Sequence, residues 1–157
     1  MVSLHSQPPI PSEMASAATL YDTDFMAWCE QQAGALKTRN YDALDLVNLI
    51  EEIEDLGQAQ FNKTKSLTRQ IIAHILKLRA FPKDQAASHW QDEIESFQDS
   101  LDDVVTGSIR YRFEQQAVFA AQQAKAIKRL SRKYPNTDFA PLRPLTLDEL
   151  IAWELPQ

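Results

Sequence analysis

Residues 42–80 read DALDLVNLIEEIEDLGQAQFNKTKSLTRQIIAHILKLRA, which is the longest periodic stretch of the chain. At about 100° per residue, its inner positions stay on one broad stripe of a helical wheel. The stripe comprises Leu46, Ile50, Ile53, Gly57, Gln60, Thr64, Leu67, Ile71, Ile75 and Leu78. The pattern predicts a single helix over 42–80 that Asp42 caps, that is weakest around Gly57 and that Pro82 ends.

The composition favours helices throughout. The chain has 157 residues, only 3 of them Gly, and 44% are apolar. This length suits one domain, and so few glycines argue against many short strands. We therefore predict an all-α fold over 21–157, a mainly antiparallel helical bundle with one long helix that Gly57 could interrupt. Residues 1–20 hold three of the 8 prolines and no helical period, which predicts a disordered arm.

Three further helices surround the long one in this prediction. The first spans 21–36, with Asp22 or Thr23 as its cap. The next begins at Ser88, whose hydroxyl and Gln91 form a capping box, and stops at Gly107. The last full helix spans 108–134. The inner face of the first comprises Phe25, Trp28, Cys29, Gln32 and Leu36, and that of the last Ile109, Phe113, Ala117, Ala120, Ala124, Ile127 and Leu130.

A short C-terminal helix should follow three further prolines. Thr146 and Glu149 have the spacing of a second capping box, and Leu150 is among the apolar residues that should pack against the bundle.

Charge and cysteine content limit the functional classes. A net charge of -6 and a pI near 5.0 argue against nucleic acid as a partner, although Arg129, Arg132 and Lys133 form one basic cluster that RNA could use. The lone Cys29 excludes an internal disulfide and fits the cytoplasm. No apolar run reaches the roughly 18 residues of a membrane span, and no signal peptide is evident.

The acidic run EEIED is the candidate metal site. Glu51 and Asp55 lie one helical turn apart, with Glu52 beside them, and such spacing suits a hard cation such as Mg²⁺ or Mn²⁺. The run resembles the metal-binding glutamates of all-α nucleotide pyrophosphohydrolases, and acids of the next helix would complete the site. These acids are Asp99, Asp102 and Asp103.

Further candidate residues lie at the edge of the apolar stripe and in the next helix. Glu54 should be partly buried and paired with a base, and it lies about 30 Å from His74 along a straight helix. His74 is either a hydrogen-bonded core histidine or, with His89 and Asp92, part of a zinc or nickel set. His89 and Trp90 are placed to approach Lys77.

Five short motifs in order resemble one bacterial family. The motifs are YDTDFMAWCEQQAGAL, LDLVNLIEEIEDLG, HILKLRAFP, SHWQDEI and PLTLDELIAWELP, and they span residues 20–157. They resemble the family known as domain of unknown function number twenty-nine, common in cyanobacteria. The resemblance implies an all-helical domain with no established reaction, and marks as characteristic Tyr21, Asp24, Trp28, Glu51, Glu52, Glu54, His74, Lys77 and Trp90.

Two function classes follow. The first is a cytoplasmic protein-interaction module without a cofactor, which binds a protein partner or itself as a homo-oligomer. The alternative is a Mg²⁺- or Mn²⁺-dependent hydrolase of nucleotides or phosphoesters that uses Glu51, Glu52 and Asp55.

Overall fold

A computed structural model describes residues 19–155, and all regular secondary structure in this range is helical. The all-α prediction is confirmed. The helices are α1 (Leu20–Thr23), α2 (Phe25–Lys37), a 3₁₀ helix (Tyr41–Ala43), α3 (Leu46–Ala80), α4 (Ala87–Asp102), α5 (Gly107–Gln115), α6 (Val118–Lys133) and α7 (Leu147–Ile151). None of these helices has both the length and the apolar character that a membrane span requires.

The chain divides into two compact units, Met1–Ile53 and Glu54–Gln157, and α3 begins in the first and ends in the second. A single domain over 21–157 stays a prediction. Residues 1–18 of the predicted arm lie outside the described part of the chain, whereas Leu20 already begins α1.

In the first unit, the helix predicted over 21–36 is broken at Asp24. The backbone of Asp24 is extended (φ -151°, ψ 83°), and its carboxylate accepts a hydrogen bond from the Ala27 amide at 3.0 Å, which starts α2. The predicted inner face is right for Trp28 and Gln32, which are buried. It is wrong for Phe25 and Leu36, which are 49% and 50% exposed, while Ala35 is buried instead.

Asp45, rather than the predicted Asp42, caps α3. Its carboxylate accepts hydrogen bonds from the Asn48 amide at 3.3 Å and from Trp28 Nε1 at 3.2 Å. The Asp45 amide donates to Gln32 Oε1 at 2.8 Å. These bonds join α2 to the start of α3, and they explain why Trp28 and Gln32 are buried. Asp42 lies in the 3₁₀ helix and is exposed.

The long helix α3 has 35 residues and passes through Gly57 without interruption. The predicted stripe is right for Thr64, Leu67, Ile71, Ile75 and Leu78, all of which are buried in the second unit. It is wrong for the first half, where Leu46, Ile50, Ile53, Gly57 and Gln60 are exposed. A helical period shows that a face is apolar, but it does not show that other elements cover that face.

The core of the second unit is built around the C-terminal half of α3. Ile71, Ile72, Ile75 and Leu76 are almost fully buried and belong to one apolar cluster with residues of α4, α5, α6 and α7. Gln98 of α4 donates from Nε2 to the carbonyl oxygens of Leu150 and Trp153 at 2.9 and 2.8 Å. This bridge fixes α7 to α4, as the predicted docking of the C-terminal helix requires.

Two predicted caps had different outcomes. The Thr146 and Glu149 capping box of α7 is confirmed, with Thr146 Oγ1 accepting from the Glu149 amide at 3.1 Å. The Ser88 and Gln91 box is wrong, because α4 begins at Ala87 and so contains Ser88. The helix also ends at Asp102, before Gly107, which instead begins α5.

The helix predicted over 108–134 is two helices. Ala117 adopts a left-handed conformation (φ 46°, ψ 42°) between α5 and α6, and this turn changes the face that α6 directs inward. Ala117, Ala120 and Ala124 are therefore exposed rather than buried. The buried residues of α6 are Val118, Phe119, Gln122, Ala126 and Leu130.

Candidate functional site

His74 forms a bridge between α3 and α4 in the second unit. Its Nε2 lies 2.7 Å from Glu93 Oε2, and its Nδ1 lies 2.8 Å from the carbonyl oxygen of Gln70. The Gln70 carbonyl oxygen can only accept, so Nδ1 donates to it, while Nε2 contacts the carboxyl group of Glu93. Both ring nitrogens are therefore engaged, so neither can bind a metal without losing a hydrogen bond.

Lys77 lies one turn further along α3, beside the same carboxylate. Its Nζ is 4.6 Å from the centre of the Trp90 ring, a cation–π arrangement. Partial burial is the main reason that the pKa of Lys77 is lowered, and Lys133 and Arg129 lower it further, whereas Glu93 acts in the opposite direction. Lys77 thus lies near two cations, Arg129 and Lys133, as well as near the carboxylate of Glu93.

His89 approaches Glu93 from within α4. Its Nε2 lies 3.6 Å from Glu93 Oε2, although 71% of the side chain is exposed. The structure therefore brings His74, Lys77 and His89 close to one carboxylate, and Trp90 joins the group through its contact with Lys77. Glu93 was missed as a candidate, although its position four residues after His89 places both on one helix face. Asp92, predicted in the zinc or nickel set, is exposed and takes no part in these contacts.

His74, Lys77 and Glu93 line part of a cleft of about 240 Å³ between α3, α4 and α6. Its floor is apolar. Its polar lining comprises Arg69, Gln70, His74, Lys77, Glu93, Arg129 and Lys133. Four of these side chains are cationic and one is a carboxylate, so the cleft is positive within an acidic chain. We refer to this feature as the cationic cleft.

The acids of the predicted metal site on α3 differ in exposure and in hydrogen bonding. Glu51 and Asp55 are exposed, whereas Glu52 is half-buried and accepts a hydrogen bond from the Tyr21 hydroxyl at 2.6 Å. Glu54 is exposed, which contradicts its predicted partial burial, because the stripe beside it is itself exposed. Between residues 19 and 155, no three His, Cys, Asp or Glu side chains are grouped as a metal site would need. A Mg²⁺ or Mn²⁺ site stays a prediction.

The N-terminal half of α3 has an exposed apolar face. Leu46, Val47, Ile50 and Ile53 are 58%, 77%, 56% and 66% exposed. In this unit Tyr21 of α1 donates a hydrogen bond to Glu52, and Trp28 of α2 donates one to Asp45, the residue before α3, so neither bond covers the four aliphatic side chains. We call these four residues the apolar face of α3.

The structure is that of an all-helical domain whose described part has a cationic cleft and an exposed apolar face on α3. The sequence profile of the family described as "Domain of unknown function DUF29" matches residues 20–154, and the chain belongs to this family. The predicted family membership is confirmed.

A solved structure has the same fold. It is the crystal structure of an alpha-helical protein of unknown function from Rhodospirillum rubrum, with 28% sequence identity and a TM-score of 0.58. The match covers 83% of this chain and 88% of the other. None of the curated proteins compared with this chain matches it.

Proposed function

We propose that this protein is an interaction module that binds a basic amphipathic helix of another protein on the apolar face of α3. The observation that carries the proposal is the exposure of four large aliphatic side chains, each more than half accessible, on consecutive turns of one helix. Contiguous exposed apolar surface is costly to leave in water, and it is typical of binding sites.

The charge around this face selects the partner. Residues 42–55 contain six acids and no base, and among them Asp42 and Glu51 are exposed in the same unit as the face. A partner helix with an apolar stripe flanked by Lys or Arg would bury the aliphatic side chains and place opposite charges at the rim.

The same charges argue against self-association through this face. Two copies packed face to face would bring carboxylates of the same sign together, and such pairs are destabilising. We therefore favour a different protein as the partner over a homo-oligomer. The cytoplasm is the compartment we propose, since the lone cysteine Cys29 is not in a disulfide in the described chain.

Synthetic helices test this proposal on the full chain. A labelled peptide with a leucine stripe and lysine flanks should bind in fluorescence anisotropy, and the same peptide with glutamate flanks should not. The double variant Ile50→Ser/Ile53→Ser should lose binding, whereas Tyr111→Ser, which removes a side chain of α5 that is 68% exposed, should keep it.

Three results would contradict the proposal. They are equal binding of the two peptides, unchanged binding by the double variant, and a dimer in sedimentation that the double variant dissociates. The last result would assign the apolar face of α3 to self-association.

A further inference from the structure

The cationic cleft holds more cations than its one carboxylate can pair. Arg129 and Lys133 occupy one face of α6, four residues apart, and Lys77 faces them from α3. None of these three side chains forms an ion pair within residues 19–155. Arg129 and Lys133 are exposed, so water screens much of their mutual repulsion, and an anion among the three side chains would reduce the rest.

The one carboxylate in the cleft is already occupied. Glu93 Oε2 lies 2.7 Å from Nε2 of His74 and 3.6 Å from Nε2 of His89. A carboxylate engaged in this way cannot neutralise three further cations. Its role is to position the α4 wall against α3, while the open side of the cleft keeps its positive charge.

The partial burial of Lys77 strengthens the case for a ligand. A solvated lysine on a surface needs no counterion, but Lys77 packs over Trp90 and loses hydration there. An anion in the cleft would replace part of this lost hydration with a charge-assisted hydrogen bond. The net charge of -6 makes a positive concave site in this chain harder to explain as a general property of its surface.

From this geometry we propose that the cationic cleft binds a phosphate group, either free or as a monoester. Cations approach the cavity from two helices, so a ligand must accept hydrogen bonds in several directions. A tetrahedral phosphate does so with three oxygen atoms, whereas a carboxylate presents two oxygens in one plane. Lys77, Arg129 and Lys133 are the binding residues, and His74 with Glu93 positions the wall that faces them.

Thermal unfolding of the full chain tests the proposal. Inorganic phosphate should raise the melting temperature by roughly 3–6 °C at about ten times its Kd, while sodium chloride of the same ionic strength should not. A parallel titration with glycerol phosphate shows whether the esterified group is bound more tightly. Broadening of the phosphate resonance in phosphorus-31 NMR gives a second measurement of binding that does not depend on protein stability.

Two double variants on α6 form a matched pair. Arg129→Gln/Lys133→Gln removes one arginine and one lysine from the cleft, and Lys128→Gln/Arg132→Gln removes the same two types from exposed positions outside its lining. The first variant should lose both the shift and the line broadening, and the second should retain them. Lys77→Gln should weaken binding at least tenfold.

The proposal would be overturned by the absence of any phosphate-specific shift and broadening, or by an equal loss in the two double variants. Binding of single-stranded RNA that depends equally on Arg129, Arg132 and Lys133 would also overturn it, because the ligand would then follow the outer face of α6.

Discussion

Nε2 of His74 on α3 lies 2.7 Å from Oε2 of Glu93 on α4. The Phe97 ring lies 5.6 Å from the imidazole, and only 13% of the His74 side chain is exposed. The His74 end of this contact is shielded from water, although the Glu93 side chain is 34% exposed, so the contact should hold the two helices together more firmly than a fully exposed pair would.

We expect removal of Glu93 to destabilise the second unit. Glu93→Ala leaves the partly buried Nε2 of His74 without its partner, which should lower the free energy of unfolding by roughly 1–3 kcal/mol. Glu93→Gln keeps a neutral hydrogen bond and should cost less. Urea unfolding measures both variants.

Glu95→Ala provides the control, because Glu95 is exposed on the same helix and should change the free energy of unfolding by less than about 0.5 kcal/mol. Equal effects of Glu93→Ala and Glu95→Ala would mean that the bridge contributes nothing measurable.

Local patterns predicted much of this fold. The period of residues 64–78 placed the buried face of α3, and the Thr146 capping box placed the start of α7, because each depends on residues within a few turns. The contact of Lys77 with Trp90 followed from a short connection between two helices. Glu93 was not identified, because α4 has five acids and only its packing against α3 shows which of them contacts His74.

Other features depend on contacts that sequence periodicity does not contain. Ile71 and Ile53 belong to the same predicted stripe, yet Ile71 is buried and Ile53 is exposed. Only the tertiary structure shows this difference. No glycine or proline marks the break at Ala117 in the sequence. Alanine is a strong helix former, and it adopts the left-handed region only at an energetic cost.

Because of this cost, we expect glycine to change the free energy of unfolding in opposite directions at two alanines. Ala117→Gly should raise the free energy of unfolding by roughly 0.5–1 kcal/mol, because glycine adopts the backbone at φ 46° without steric strain. Ala124→Gly, at an exposed position within α6, should lower it by about 1 kcal/mol. Chemical unfolding distinguishes the two, and destabilisation by both substitutions would show that the turn at Ala117 is not strained.

The two halves of α3 should respond differently to the same substitution. Ile53→Ser removes an exposed side chain and should change the free energy of unfolding by no more than about 0.5 kcal/mol. Ile75→Ser removes a side chain that is 1% exposed and should cost at least about 2–5 kcal/mol. Circular dichroism with urea measures both, and a large loss for Ile53→Ser would show that its face is covered in solution.

The carboxylates of α3 allow a direct test of the alternative, metal-dependent function. If Glu51, Glu52 and Asp55 bind Mg²⁺ or Mn²⁺, either metal should raise the melting temperature by mass action, and Glu51→Gln/Asp55→Asn should remove the increase. Asp102→Asn/Asp103→Asn tests whether acids of α4 take part. No response to either metal across a wide concentration range would contradict this function.

The contribution of the Asp45 cap to the stability of α3 should depend on pH. The pKa of Asp45 is lowered from 3.8, chiefly by the hydrogen bond from the Asn48 side chain, with Asn48 N and Trp28 Nε1 assisting. The folded state therefore favours the carboxylate form. Its contribution is complete above pH 3.8 and is lost as the pH falls through the lower folded-state pKa.

Asp45→Ala should accordingly melt at a lower temperature than the natural chain at neutral pH, and the difference should narrow as the pH falls below 3.8. Asp42→Ala is the matched control, since Asp42 is exposed in the adjacent 3₁₀ helix and its carboxylate accepts no hydrogen bond within residues 19–155. Its melting difference should be small at every pH. A difference for Asp45→Ala that stays constant into acid would show that the helix depends on the size of the side chain rather than on its charge.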